Sequence, residues 1–196
     1  MNVVLVDAGG ANIASVRFAL QRLGVAATLT ADAARIRRAD RVILPGVGAA
    51  APAMARLREL GLVDVLRTLE QPVLGVCLGM QLLCEHSEEG NVDCLGVIGA
   101  RVMELKGGAG LRVPHMGWNR VGATRQHALL AGAAQAGWAY FVHSYAVPVG
   151  AATLATCDYA GTFSAAISRG NFMGVQYHPE RSAALGAAVL RNFLFA

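Results

Sequence analysis

The chain has 196 residues, 55% of them hydrophobic and 15% charged, which excludes a disordered polypeptide and fits one domain able to bury a core without disulfides or a structural metal. Its formal net charge is +4, with an isoelectric point near 9.2 and a mean hydropathy of +0.44. The longest stretch free of Asp, Glu, Lys and Arg, Gln126 to Cys157, is mostly Ala and Gly broken by Gln135, His143, Ser144 and Pro148, so nothing offers the roughly 20 strongly apolar residues of a membrane span.

Met1 to Asp7 has no basic leader, and its apolar run Val3–Val6 ends at an acid, so it reads as a first strand buried on both faces and not as a signal peptide. Asn12 is placed to cap a helix with apolar positions Ile13, Val16, Leu20 and Leu23, stopped by Gly24. Arg35, Arg37, Arg38 and Arg41 follow as a cluster. Of the 17 basic residues only Lys106 is a lysine; this bias reads as genome composition, and the cluster as a solvated face with a polyanion or protein contact as the alternative. Arg41–Leu44 is the next strand, closed by Pro45-Gly46. A helical stretch covers about Ala50 to Leu69 with a break at Gly61. Pro72–Cys77 is a strand again and Gly79–Glu85 a helix. The β-α-β rhythm argues for a parallel sheet with helices on both faces.

Beyond this point short strands dominate: Gly96–Met103, Trp118–Val121, Tyr140–His143, Ala152–Thr156, Phe163–Ser168 and Phe172–Tyr177. They predict a mixed, partly antiparallel extension of the sheet. Gly107-Gly108-Ala109-Gly110 reads as a flexible loop. A last helix, capped by Ser182, repeats Leu185, Val189 and Phe193. No linker, repeat or low-complexity segment divides the chain.

Three segments carry chemistry. Gly75-Val76-Cys77-Leu78-Gly79 follows a strand and opens a helix, the context of a nucleophile elbow with Cys in place of Ser. Such a turn needs small flanking residues, raises Cys77 at the carboxyl end of the sheet, points the Leu78 N–H at whatever Cys77 attacks, and sets the sulfur at a helix N-terminus that favours negative charge. Tyr177-His178-Pro179-Glu180 ends another strand. If it stays extended, His178 and Glu180 point the same way, and the carboxylate can orient an imidazole that takes the Cys77 proton. Both motifs fall on the edge of the sheet where open α/β proteins build their sites. Pro45-Gly46-Val47-Gly48 fits two readings. Gly46 to Ala51 matches a dinucleotide fingerprint, weakly, because it follows an internal strand and lacks a strand-end acid. The favoured alternative is a loop lending a second oxyanion N–H. Cys84 and Cys157 read as buried apolar residues; Cys94 is left open. No Cys pair has C-x-x-C spacing, which points to a reducing, cytoplasmic setting. His86, His115, His127 and His143 show no metal-ligand spacing and are expected in ordinary polar roles.

Gly75-Val76-Cys77-Leu78-Gly79-Met80-Gln81 together with His178-Pro179-Glu180 resembles the class I, triad-type glutamine amidotransferases. Pro45–Gly48, Pro114-His115-Met116-Gly117-Trp118-Asn119 and Tyr140-Phe141-Val142-His143-Ser144-Tyr145 resemble, within that family, the glutaminase subunits of imidazole glycerol phosphate synthase. The likeness runs over residues 1–196, as one amidotransferase domain. It implies a flavodoxin-like open mixed sheet, mostly parallel, with helices on both faces. It implies hydrolysis of L-glutamine through a Cys77 thioester, with His178 as base and acid, Glu180 as orienter, and Val47 and Leu78 as oxyanion donors. Gly46, Gly48, Gln81, Ser144 and Tyr145 would line the glutamine pocket. Ammonia would pass to a separate cyclase subunit in a heterodimer, toward which the Pro114–Asn119 loop would lie. No metal, organic cofactor, nucleic acid or membrane is implied. The alternative is a triad glutaminase serving another synthase. Ala49-Ala50, Asp7-Ala8-Gly9-Gly10 and Arg181 depart from the family pattern, away from the triad.

Overall fold

The computed structural model describes residues 1–9, 13–108, 110–133 and 137–195. The first half alternates as its pattern requires: β1 (Val3–Val6), α1 (Ile13–Arg22), β2 (Ala27–Thr30), α2 (Ala33–Arg37), β3 (Arg41–Gly46), α3 (Ala50–Glu59), α4 (Val63–Arg67), β4 (Val73–Cys77) and α5 (Leu78–Leu82). The second half is mainly strand: β5 (His86–Ser87), β6 (Val92–Asp93), β7 (Arg101–Glu104), β8 (His115–Ala123), β9 (Gly137–His143), β10 (Tyr145–Ala146), β11 (Thr153–Asp158), β12 (Thr162–Arg169) and β13 (Phe172–Val175), before α6 (Ala183–Phe195).

Nine strands form one sheet in the order β2-β1-β3-β4-β13-β12-β11-β8-β9. The first five run parallel, and the others extend the sheet antiparallel. The parallel set has the flavodoxin-like order. Strand alternation explains how both faces are covered. Val3 and Leu5 pack with Val16 and Leu20 of α1 and Val189 and Phe193 of α6. Val4 and Val6 point the other way, to Ile36 of α2, Leu57 of α3 and Leu66 of α4. Each such burial contributes about 1.5–3 kcal/mol. A smaller sheet, β10-β7-β5-β6, stands beside the large one.

The antiparallel half folds back over the carboxyl ends of the parallel strands. His178 N–H donates to the Tyr140 carbonyl of β9 at 2.9 Å. The Tyr140 N–H donates to Ser182 Oγ at 2.9 Å, and that hydroxyl donates to the His178 carbonyl at 2.6 Å. Ser182 therefore latches the His178 turn to β9; its hydroxyl is spent there and not on capping α6 as the sequence implied.

Other boundaries differ for physical reasons. β2 has no continuous apolar run because it lies at the sheet edge, half exposed. α2 has five residues, too few to show a period, and is held by Asp32, whose carboxylate accepts from the Ala34 and Arg35 N–H groups at 2.7 and 3.1 Å. The expected strand at Gly96–Met103 is confined to β7, and the helix expected to Glu85 ends at Leu82. Gly24 and Gly61 end α1 and α3 with φ of +80° and +64°, as their placement predicted. The Asn12 cap, Gly10 of the Asp7–Gly10 turn and Ala109 of the glycine loop lie outside the described residues. Among the described residues no helix is long and apolar enough to cross a membrane.

Candidate active site

Cys77 ends β4 and α5 begins at the next residue, with Cys77 at φ +54°, ψ −112°. A side-chain-bearing residue is strained there, and the neighbours hold it in place. β4 lies between β3 and β13, with Gly46 opposite Cys77 and Val175 opposite Val76. The G-x-C-x-G spacing follows from backbone crowding. A Cβ on Gly75 would sit 2.6 Å from backbone atoms of Gly79 and Met80, and one on Gly79 would collide with the Leu44 carbonyl oxygen.

His178 reaches the same spot from the end of β13. Its Nδ1 and Glu180 Oε1 are 2.9 Å apart, with side chains 9% and 1% exposed. The contact forms, but not by the strand alternation the sequence suggested. β13 stops at Val175, and Pro179–Arg181 is a 3-10 turn that swings Glu180 under the ring. Burial alone would push the imidazole down; hydrogen bonds to Cys77 and Glu180 outweigh it and carry the group up to about 10. Nδ1–H is committed to the carboxylate, so Nε2 serves the sulfur.

A cavity of about 310 Å³ opens in front of Cys77. Its wall includes Val47, Gly48, Leu78, Gln81, Ser144 and Tyr145, with Cys77 and His178 between them. Val47 and Gly48 thus stand beside the elbow; Gly48 has φ +96°. Gly46 sits one step behind, in a narrower crevice shared with Val47, His178 and Glu180. A larger open groove, about 1190 Å³, runs along residues 122–132 and holds none of these groups, so volume alone does not locate the chemistry.

One acidic wall residue was not singled out from the sequence. Glu89, between β5 and β6, lines the cavity. Burial raises its carboxyl pKa, against a hydrogen bond from the Ala50 N–H that lowers it. Only the fold brings this residue to Cys77; it sits in a Ser-Glu-Glu-Gly turn that reads as ordinary surface.

His115 and His143 also have more defined places than expected. Their rings are joined at 3.1 Å between His115 Nδ1 and His143 Nε2, and His143 Nδ1 donates to the Tyr145 carbonyl at 2.9 Å. Burial drives both down, to about 4 and about 3. Cys84, Cys94 and Cys157 are buried thiols. Among the described residues no group of three His, Cys, Asp or Glu side chains could hold a metal ion.

The Pro114–Asn119 segment, expected as a loop, belongs largely to β8, where His115–Asn119 pairs with Ala139–His143 of β9. Alternation turns His115 inward and leaves Met116, Trp118 and, across the ribbon, Trp138 exposed at 64%, 51% and 56%. The Arg181 guanidinium stacks 4.4 Å above the Tyr140 ring on this ribbon.

The family model "Glutamine amidotransferase class-I" matches residues 4–196. An "Imidazole glycerol phosphate synthase subunit HisH" from Xanthomonas axonopodis pv. citri is 58% identical over 193 residues, covering 98% of this chain and 96% of that protein. One of the same name from Xylella fastidiosa (strain Temecula1) is 56% identical over 192 residues, with the same coverage. A solved glutamine amidotransferase superposes with a TM-score of 0.76 at 20% identity, covering 99% of this chain and 97% of the other. A second, from Thermotoga maritima, gives a TM-score of 0.64 at 17% identity, covering 92% and 76%.

Proposed function

Because the chain belongs to the class-I glutamine amidotransferase family, we propose that Cys77, His178 and Glu180 are its catalytic triad, within one amidotransferase domain over residues 1–196. The protein is the glutaminase subunit of imidazole glycerol phosphate synthase in histidine biosynthesis. The observation that carries the site assignment is the strained elbow of Cys77, facing one cavity with an imidazole whose far nitrogen is held by a buried carboxylate.

The Cys77 proton passes to His178 Nε2, and the sulfur attacks the side-chain amide carbon of L-glutamine. The Val47 and Leu78 N–H groups receive the developing oxyanion; each such donor is worth about 2.7–4 kcal/mol in the transition state. His178 returns its proton to the nitrogen, which leaves as ammonia. Water, deprotonated by the same imidazole, then cleaves the thioester to glutamate and frees the sulfur. Glu180 fixes the ring and stabilises its cationic form without taking a proton.

Substrate recognition follows from the cavity wall. Gly48, Ser144 and Tyr145 stand around the sulfur, with Gln81 behind. Among the described residues Glu89 supplies the one acidic group on the wall, and free glutamine brings an α-ammonium that a half-buried carboxylate would hold as an ion pair. Gly46 acts by packing the Val47 loop against the elbow, where its own Cβ would crowd Leu78 and Gly79.

The ammonia acceptor is the cyclase subunit, bound as a heterodimer. The ribbon of β8 and β9 supports this, because it exposes Met116 opposite Val142 of the cavity and, further along, Trp118 and Trp138, and exposed aromatic residues of this kind are typical interface anchors. Four unpaired thiols fit a cytoplasmic setting. The test is Cys77→Ala in the reconstituted synthase. Glutamine-dependent synthesis is expected to vanish while synthesis from added ammonium salts persists. Near-normal turnover with glutamine would sink the assignment.

A further inference from the structure

Behind the nucleophile runs a hydrogen-bond chain that the steps above leave unused. The Tyr145 carbonyl accepts from Gln81 Nε2 at 2.8 Å as well as from His143. A carbonyl only accepts, so the Gln81 group facing it is the amide nitrogen. The second N–H of that nitrogen meets the Gln176 side chain at 3.0 Å, which fixes the atom there as Oε1. The Gln176 nitrogen is thereby turned to Cys77 Sγ, 3.9 Å away. Gln81 is 3% exposed and Gln176 0%. Reversing Gln176 would set donor against donor, and reversing Gln81 would set its oxygen against the Tyr145 carbonyl and Gln176 Oε1, in a buried place, so the chain has one stable direction.

On another side the sulfur faces the Val142 carbonyl at 3.8 Å. That oxygen favours S–H and disfavours a negative sulfur. His178 and Gln176 are the two donors that oppose it. We infer that Gln176 is a further catalytic residue, its Nε2–H holding the Cys77 thiolate before attack and again as the sulfur leaves the thioester. No proton crosses Gln176: the thiol proton goes to His178, and the S–C bond forms and breaks on the sulfur alone. The inference rests on Cys77 being the nucleophile. It also gives Gln81 a second task, since its position behind the sulfur orients Gln176.

The experiment uses two variants, each as the isolated chain for labelling and in the synthase for turnover. Gln176→Leu removes the donor at similar volume. Gln176→Glu keeps the shape and one acceptor for Gln81, but turns an oxygen toward the sulfur. The readout is the rate of Cys77 alkylation by iodoacetamide against pH, resolved by mass spectrometry, with glutamine turnover alongside. His143, His178, Glu89 and Tyr145, the titratable groups on the cavity wall, and Glu180 behind His178, are unchanged in both variants. Labelling at pH 7 is expected to slow about tenfold in Gln176→Leu and further in Gln176→Glu, with both profiles displaced to higher pH. Turnover should fall through kcat, with KM for glutamine changed less than about twofold. Cys84, Cys94 and Cys157, driven by burial to about 12, 11 and 12, serve as internal standards that stay unlabelled in a folded chain. Wild-type rate and pH profile in both variants, or a loss confined to KM, would overturn the inference. Retained glutamine turnover in Cys77→Ala would instead overturn the glutaminase reading beneath it.

Discussion

Gly75→Ala isolates the reason for the glycine spacing around Cys77. The added methyl would lie 2.6 Å from the carbonyl carbon and oxygen of Gly79 and from the nitrogen of Met80. All three are backbone atoms, so no side chain can swing away. Ordinary contact begins near 3.4 Å, and β4 and α5 would have to part by about 0.8 Å. Overpacking of this kind costs about 1–3 kcal/mol, or about 2–12 °C in melting temperature for a chain of this size. The larger effect should be on chemistry, because the displaced turn carries Cys77. A misplacement near 1 Å costs roughly a hundredfold in rate. The assay is glutamine-dependent turnover of the synthase, with ammonium-dependent turnover and a thermal melt as controls. A Gly75→Ala protein with normal glutamine turnover and an unchanged melt would refute the crowding argument.

His178→Asn should lower glutamine turnover by roughly 10²–10⁴-fold, and Glu180→Gln by less, since it orients the ring and transfers no proton; the opposite ranking in equally folded proteins would reverse the roles. The Tyr177 hydroxyl is buried with no hydrogen-bond partner among the described residues, so Tyr177→Phe should raise the unfolding free energy by about 1–3 kcal/mol, read as a higher urea midpoint; a drop would show that the hydroxyl is satisfied. His115 and His143 are neutral in the fold, with values lowered from 6.5 to about 4 and about 3. The unfolded chain therefore binds the extra protons, and their contribution is full above pH 6.5 and lost as pH falls toward 4 and 3. That loss should amount to about 2 kcal/mol per histidine between pH 7 and 5. In His115→Phe, whose ring can keep the stack on Phe141 and Tyr159, the decline in urea midpoint should be shallower; an identical slope would refute the assignment.

The parallel half was legible because strands buried on both faces leave continuous apolar runs, as in Val3–Val6 and Val73–Val76. β2 was not, because an edge strand with alternate exposure carries no such run. The elbow could be read from its glycines, which answer to local backbone crowding. Glu180 was rightly paired with His178 on the wrong geometry: the Pro179 turn, invisible to a period-two pattern, brings the carboxylate round. Glu89 and Gln176 were missed for another reason. Neither has a local signature, since one sits in an acidic turn and the other in an ordinary strand-end position. Both acquire meaning only when distant segments meet at Cys77.

The fold-back of the antiparallel half gives the machinery a second mount. Cys77 and His178 follow the adjacent parallel strands β4 and β13, but the backbone around His178 is also tied by Tyr140 and Ser182 to β9, a strand at the far margin of the sheet. The final alignment of sulfur and imidazole thus depends on how β9 is seated against the parallel strands. Marginal elements open at lower free energy than central ones. Warming should therefore silence the enzyme before it melts, with glutamine turnover fading at temperatures where the circular dichroism of the parallel strands is still intact.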